Sequence, residues 1–583
     1  MWTSVRGYRL TQLASASALA AVLVTGDVLG QEITGTPGTP EARTTIDGRY
    51  LPNPPQAFRG DIQTNATQST PYWPALIVPP KGAPNVLLIM TDDVGFAAPS
   101  TFGGVIPTPT LDRVAAEGLR YTRFHTTALC SPTRAALLTG RNHHSVGTGV
   151  VVDQATGYPG YNSIIPRDAV AIGEILRQNG YDTSWFGKDH NVPQWEASQA
   201  GPFTNWPTGP VKGFDYYYGF IGDDSSQWQP NNLFRNTTPI EPYLGNPGWN
   251  MITAMADDAI AHVKTLNDVQ PDRPFMIYYA PGGTHSPHHP TKEWVDRISA
   301  MHLFDEGWNK LRDTIFANQK KLGVIPDNAE LTPWPDSIPQ WDTLSADSKK
   351  LFIRQADVYA AYLAYTDHEI GRVVQTIDDM GKLDNTLIIY VSGDNGASPE
   401  GTLNGLFNEF AVANAMDPTV EQNMKFFDAW GTDQTYPHYA VGWAWAWDNT
   451  LQVDQTDRRL FRRHPKRDGH GMARAHQGQG CCPQPIPPRD RHRAHNSRGG
   501  GPSRAGVGEW CRATADRGCQ YGVYVGRRQS CGPSYDPIFR NVRQARHLSR
   551  RLDRFDASPV RALDPHVGQA VPGRHEQLQV GAV

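Results

Sequence analysis

Cysteine is almost missing from the first 450 residues of this 583-residue chain, where only Cys130 occurs. A single thiol excludes an intrachain disulfide framework for that part. A lone cysteine is either a small buried apolar group or a reactive one. Long apolar runs are also scarce. Leu13 to Val24 is built only from Ala, Leu, Ser and Val, short of the ~20 residues a membrane span requires, and no later stretch does better. Stable membrane insertion is therefore not expected. With Arg6 and Arg9 before it and small residues leading to Gly30, residues 1–30 read as a secretory signal, which implies a periplasmic or secreted protein. There is no basic surplus either. The formal net charge is -4, which argues against a nucleic-acid partner.

That charge hides an asymmetry. Residues 1–450 carry 30 Lys+Arg against 47 Asp+Glu, and residues 451–583 carry 24 against 11. Lysine is nearly absent from the second part, where Lys466 stands beside 23 of the 41 arginines. The other cysteines, Cys481, Cys482, Cys511, Cys519 and Cys531, also lie there. A shift of this size marks a boundary near residue 450.

Residues 31–84 are rich in Pro, Thr and Gly without periodicity, which suits an extended arm. From residue 85 the pattern changes. NVLLIM (85–90) is a continuous apolar run, as expected of a strand buried on both faces of a parallel sheet. Strands are also expected at Tyr181 to Phe186, Phe275 to Tyr279 and Thr386 to Val391, with a β-like stretch over 121–129. Helices are expected over 110–118, closed by Gly118, after Pro132, over 168–180 and over 350–380. Residues 290–345 mix Pro, Trp and Asp and read as a loop-rich insertion. The alternation of strands and helices predicts an α/β sandwich around a mostly parallel sheet, with no internal repeat.

Two acidic pairs follow apolar strands: Asp92 with Asp93, and Asp394 with Asn395. Ligands of such sheets bind beyond the carboxyl ends of the strands. Four oxygen-bearing side chains there suit a hard cation, Ca²⁺ or Mg²⁺ rather than Zn²⁺. Turn and helix-capping roles are the alternative. Cys130-Ser-Pro-Thr-Arg134 places a cysteine before a helix N-terminus, where free N–H groups favour an anion. Arg134, one turn on, is suited to hold that anion. A buried cysteine before a proline-initiated helix is the other reading.

CSPTR followed by AALLTGR resembles the C-x-P-[ST]-R signature of the sulfatase family. The neighbouring motifs agree. NVLLIMTDDVG resembles the first strand and metal pair, and GKDHN (187–191) the K-x-H motif. GGTHSPHH (282–289) resembles the H-x-P motif, SGDNG (392–396) the second metal pair, and GWAWAWDNT (442–450) a segment of the bacterial arylsulfatase branch. The resemblance spans about residues 84–450 and implies an alkaline-phosphatase-like fold with a catalytic domain at 85–450. It also implies that a formylglycine-generating enzyme oxidises Cys130 to formylglycine. One hydroxyl of the hydrated aldehyde attacks the sulfur of a small-molecule sulfate ester, and the other lets the covalent intermediate collapse. Ca²⁺, with Mg²⁺ the weaker candidate, is implied on Asp92, Asp93, Asp394, Asn395 and the residue derived from Cys130, acting with Arg134 on the nucleophile and the sulfate. Lys188 is implied to bind sulfate or the leaving oxygen. His190 would orient the gem-diol, and His285 would protonate the leaving group. His143, His144, His288 and His289 are left as loop residues. A phosphonate or phosphate monoester hydrolase shares the nucleophile signature and is the rival activity.

Past residue 450 the pattern breaks. The family continues with one more sulfate-binding lysine and a smaller C-terminal domain, whereas this chain reads QVDQTDRRLFRRHPKRDGHGMARAHQGQG. Codons for that text can be chosen so that the next frame reads RWTKQIAAYFGGTRNGMAMAWPARIKDKG, which resembles the expected continuation. SYDPIFRNVRQARHLSRRLDRFDAS likewise back-translates to ATTQYFEMFGKPAIYHDGWIAST in the same frame. Second codon bases are nearly fixed, so agreement over both stretches is unexpected by chance. Residues 451–583 are read as an aberrant, frameshifted tail, with the shift near codons 445–455. A real basic tail is the alternative. A chain made as printed would lack that lysine and the C-terminal domain, and an inactive product is then a further alternative.

Overall fold

Every position of Asn85–Met90 after the first is apolar, so the strand must be covered on both faces. The computed structural model describes residues 33–45, 56–127 and 129–449, and in it this strand, β1, lies inside a seven-stranded sheet. The other strands are β2 (Asp182–Gly187), β3 (Tyr216–Phe220), β4 (Leu233–Arg235), β5 (Thr238–Pro239), β6 (Phe275–Ala280) and β7 (Thr386–Val391). Their order is β7-β1-β6-β2-β3-β4-β5. The first five are mutually parallel, and β4 and β5 add an antiparallel edge. The register aligns strand ends, pairing Met90 with Val391 and Gly187 with Ala280. All parallel strands therefore open towards one rim of the sheet.

Alternate side chains of each strand feed different cores. Leu87 and Ile89 of β1, with Phe275, Ile277 and Tyr279 of β6, pack under helix α4 (Met251–Val269) and the second half of α7 (Ala346–Asp379). Leu88, Met90, Met276, Tyr278 and Trp185 face the other way, against Leu138 of α2 (Cys130–Thr139) and the partly buried Ile172 and Leu176 of α3 (Ile172–Gln178). Helix α1 (Pro109–Glu117) packs on α7. A third core joins the first half of α7 to α6 (Gly307–Lys321) and α8 (Val441–Trp447) through Trp308, Phe352, Tyr359, Trp443 and Trp447. This is the expected α/β sandwich around a mostly parallel sheet.

Two expectations need correction. Residues 121–129 form no strand among the described residues, and Tyr121 and Phe124 are exposed. Their alternation finds neither a partner strand nor a core to face. Residues 290–345 hold two helices, α5 (Lys292–Ser299) and α6, rather than a loop-rich insertion. The apolar spacing of Trp308, Leu311 and Ile315 puts one buried stripe along α6. His288 and His289 lie in a loop, as expected, and are buried there. His288 stacks on Tyr439 at 5.1 Å, and the Nε2 of His289 lies 2.7 Å from the Thr435 carbonyl oxygen. The signal at 1–30 and the stretch 451–583 lie outside the described residues. Residues 33–45 and 56–84 hold three two-residue strands and one turn of 3-10 helix. No helix among the described residues is long and apolar enough to cross a membrane.

Candidate active site

Each parallel strand delivers chemistry at its carboxyl end. Asp92 and Asp93 follow β1, Lys188 and His190 follow β2, and Asp223 follows β3. His285 follows β6, and Asp394 and Asn395 follow β7. Helix α2 adds Cys130 as its first residue and Arg134 one turn on. The helix thus begins at Cys130 itself, with Pro132 inside the first turn. The turn out of β2 depends on Gly187: its φ is +105°, and a Cβ there would lie 2.0 Å from the Ala280 carbonyl oxygen. Only glycine passes so close to the neighbouring strand and still delivers Lys188.

The carboxylates form one group. Ligand oxygens of Asp92, Asp93 and Asp394 all lie within 4.8 Å of one another. Asp93 adopts a φ of 51°, which turns the chain sharply after β1. Asn395 donates from Nδ2 to Asp93 Oδ1 at 2.6 Å. Its own Oδ1 and Asp92 Oδ1 are buried without a hydrogen-bond partner. Burial, reinforced by the charge of Asp92, pushes Asp93 up to about 6 and Asp394 up to about 7. Such crowded, under-satisfied oxygens fit a hard divalent cation.

Arg134 turns into this group rather than leaving its whole fork to an incoming anion. Its Nε donates to Asp394 Oδ2 at 2.9 Å, and its Nη2 lies 3.3 Å from Asp92 Oδ1. Its Nη1 is buried with no partner. Lys188 Nζ donates to Asp92 Oδ2 at 2.7 Å and reaches Asp223 Oδ1 at 3.3 Å. Burial opposes its charge most, but Asp92, Cys130 and Asp223 together outweigh it, and Lys188 is held well above its usual range. Lys188 and His190 project alike, as residues two apart on an extended segment do. Asp189 between them points away, to Lys212 Nζ at 2.5 Å.

Cys130 groups with His190 and Asp223 rather than with the three carboxylates. His190 Nδ1 is 3.1 Å from Cys130 Sγ, and its Nε2 is 2.6 Å from Asp153 Oδ2. Burial pushes the Cys130 thiol well above its usual value. The Nδ1 of His285 lies 2.6 Å from the Ser286 carbonyl oxygen. Its Nε2 faces Asp93 at 3.7 Å and Asp223 at 3.5 Å. Burial and Lys188 work against the His285 cation, but Asp93, Asp92 and Asp223 outweigh them and raise it to about 10.

The Sulfatase family profile matches residues 84–450. This chain belongs to the sulfatase family. An uncharacterized sulfatase of Schizosaccharomyces pombe is 32% identical over 54% of this chain and 58% of its own length. An arylsulfatase of Klebsiella aerogenes is 27% identical over 54% of this chain and 67% of its own. Human arylsulfatase A is 32% identical over 37% and 44%. The chain thus spans between about two fifths and two thirds of these relatives.

Two residues of this sulfatase-family site escaped the sequence reading. Asp223 had a signal: DYYYGFIGDD repeats the pattern of an apolar strand followed by an acidic pair. Asp153 had none, since it sits in a single 3-10 turn (Val152–Gln154).

Proposed function

We propose that this chain hydrolyses sulfate esters, aryl sulfates among them, to a phenol or alcohol and inorganic sulfate, with Cys130 as the precursor of the nucleophile. One observation carries the reading: Cys130, Lys188, His190 and His285 meet at one rim of the sheet, beside the Asp92, Asp93 and Asp394 carboxylates. The buried, unionised thiol is itself a weak nucleophile. Converted to formylglycine by a maturation enzyme and hydrated, this position would offer one hydroxyl to attack sulfur and another to release the sulfate.

Asp92, Asp93, Asp394 and the free Oδ1 of Asn395 would hold Ca²⁺, with Mg²⁺ less suited because it demands stricter octahedral geometry. Bound there, the ion would neutralise sulfate charge and acidify a nearby hydroxyl. Arg134 braces Asp92 and Asp394 and keeps Nη1 for a sulfate oxygen. Lys188 offers a buried positive charge to the sulfate. His190, fixed by Asp153, takes its orientation from that carboxylate and presents Nδ1 to the residue at 130. His285, with Nδ1 held against the Ser286 carbonyl oxygen, presents Nε2 to the site as the general acid for the leaving oxygen. Export to the periplasm or beyond belongs to the same proposal.

The test is turnover by the full chain, co-produced with a formylglycine-generating enzyme, on nitrophenyl sulfate and on a nitrophenyl phosphonate. Faster sulfate hydrolysis supports the reading. Faster phosphonate hydrolysis would replace it with the rival activity.

A further inference from the structure

Asp223 brings a further negative charge to the donors Lys188, His190 and His285, beside the Asp92, Asp93 and Asp394 group. Its Oδ1 lies 3.1 Å from His190 Nδ1, 3.3 Å from Lys188 Nζ and 3.5 Å from His285 Nε2. Cys130 Sγ is 3.7 Å from the same atom. The side chains of Lys188 and His190 are fully buried and that of His285 is 11% exposed, whereas that of Asp223 is 41% exposed. Of the groups that meet here, the carboxylate alone has open solvent to turn into. Donors converging on one oxygen are what a bound anion needs. Asp223 Oδ1 thus occupies the point on which these donors converge.

Resting on the sulfatase reading above, we propose that Asp223 is a charge filter in the anion subsite, selecting monoanionic sulfate esters against dianions. An entering group must displace this carboxylate or sit beside it, and the repulsion scales with the charge of the newcomer. A sulfate monoester carries one negative charge. The inorganic sulfate left by hydrolysis carries two, as does a phosphate monoester at neutral pH. The filter therefore weakens product retention more than substrate binding and disfavours phosphate monoesters.

The test is calorimetric binding to the full chain with Cys130 left as the thiol, so that nothing turns over, at fixed pH and salt. The probes are inorganic sulfate and nitrophenyl sulfate. The chains are wild type, Asp223→Asn, Asp223→Ser and Asp223→Glu. The neutral variants are expected to bind inorganic sulfate at least about tenfold more tightly, with a clearly smaller gain for nitrophenyl sulfate. Asp223→Glu is expected to keep the wild-type ratio. Two neutral variants guard against one that misfolds. Unchanged or weaker sulfate binding, equal gains for both probes, or no sulfate binding by any chain would overturn the filter. Turnover of nitrophenyl sulfate by the formylglycine form is measured separately. A shifted ratio without turnover sinks the sulfatase reading alone, and turnover without a shifted ratio sinks the filter alone.

Discussion

His190 stands between Cys130 and Asp153, so a change at one end of that line is felt at the other. Asp153→Asn removes the carboxylate that sets the ring's tautomer and angle. The expected result is a kcat lower by about one to two orders of magnitude with KM little changed, read by steady-state kinetics on nitrophenyl sulfate. A rise in KM at constant kcat would assign Asp153 to binding instead. The carboxylate group makes a second prediction. A cation held by the folded chain and not by the unfolded one raises the melting midpoint. Chelation should lower the midpoint and added Ca²⁺ restore it, while Asp394→Asn should lose most of the response. A midpoint indifferent to chelator would remove the cation from the account. Strand ends made most of these residues legible in the sequence, because an acidic pair or a K-x-H after an apolar run lands on the sheet's rim. Asp153 was not legible, because a lone turn has no period to betray it.

At the scale of elements, the N-terminus of α1 is capped from another helix. Asp367 of α7 accepts from Thr110 N at 2.8 Å and from Leu111 N at 3.0 Å. Asp367→Ala should cost about 1–3 kcal/mol, measured by urea unfolding. The same residue predicts a pH effect. Burial raises Asp367 to about 6, above an unfolded value of ~4. Its contribution is therefore full below about pH 4 and is lost as pH rises through about 6. Asp367→Asn should flatten that part of the stability profile, and an unaltered slope would contradict the assignment. β7 and the limits of α1 were legible because their periods are regular, whereas α7 was legible as an element but starts at Ala346, four residues before the expected 350. Helix α6 was missed although Trp308, Leu311 and Ile315 carry the helical spacing, because the surrounding Pro, Trp and Asp obscured it. Residues 121–129 misled in the opposite direction, since alternation makes a strand only where a neighbouring strand can pair with it.

Across the whole molecule, the described core closes at α8, where Trp443 packs 5.6 Å from Trp308 and 5.8 Å from Trp447. Trp443→Ala should cost about 3–5 kcal/mol. The outermost parallel strand, β7, leaves Leu387 52% and Ile389 41% exposed. Replacing both by Lys should shift stability by no more than about 0.5 kcal/mol per site and reduce self-association in ultracentrifugation. A large loss of stability would mean that this face is covered in solution. The change of composition near residue 450, with codons that can be chosen so that the next frame resembles the family, makes the frame of the C-terminal part a matter for peptide mapping. Peptides of the RWTKQIAAYFGG type in the native protein would establish the shifted frame, whereas peptides from RRLFRRHPKRDG would establish the chain as printed. The central claim, that formylglycine at position 130 performs the attack, is tested most directly by preparing batches with graded conversion of Cys130. Conversion is quantified by mass spectrometry of the peptide containing CSPTR and set against turnover of nitrophenyl sulfate. The account expects turnover to rise in proportion to conversion and to vanish in Cys130→Ala. Turnover that is independent of conversion, or that survives in Cys130→Ala, would contradict it.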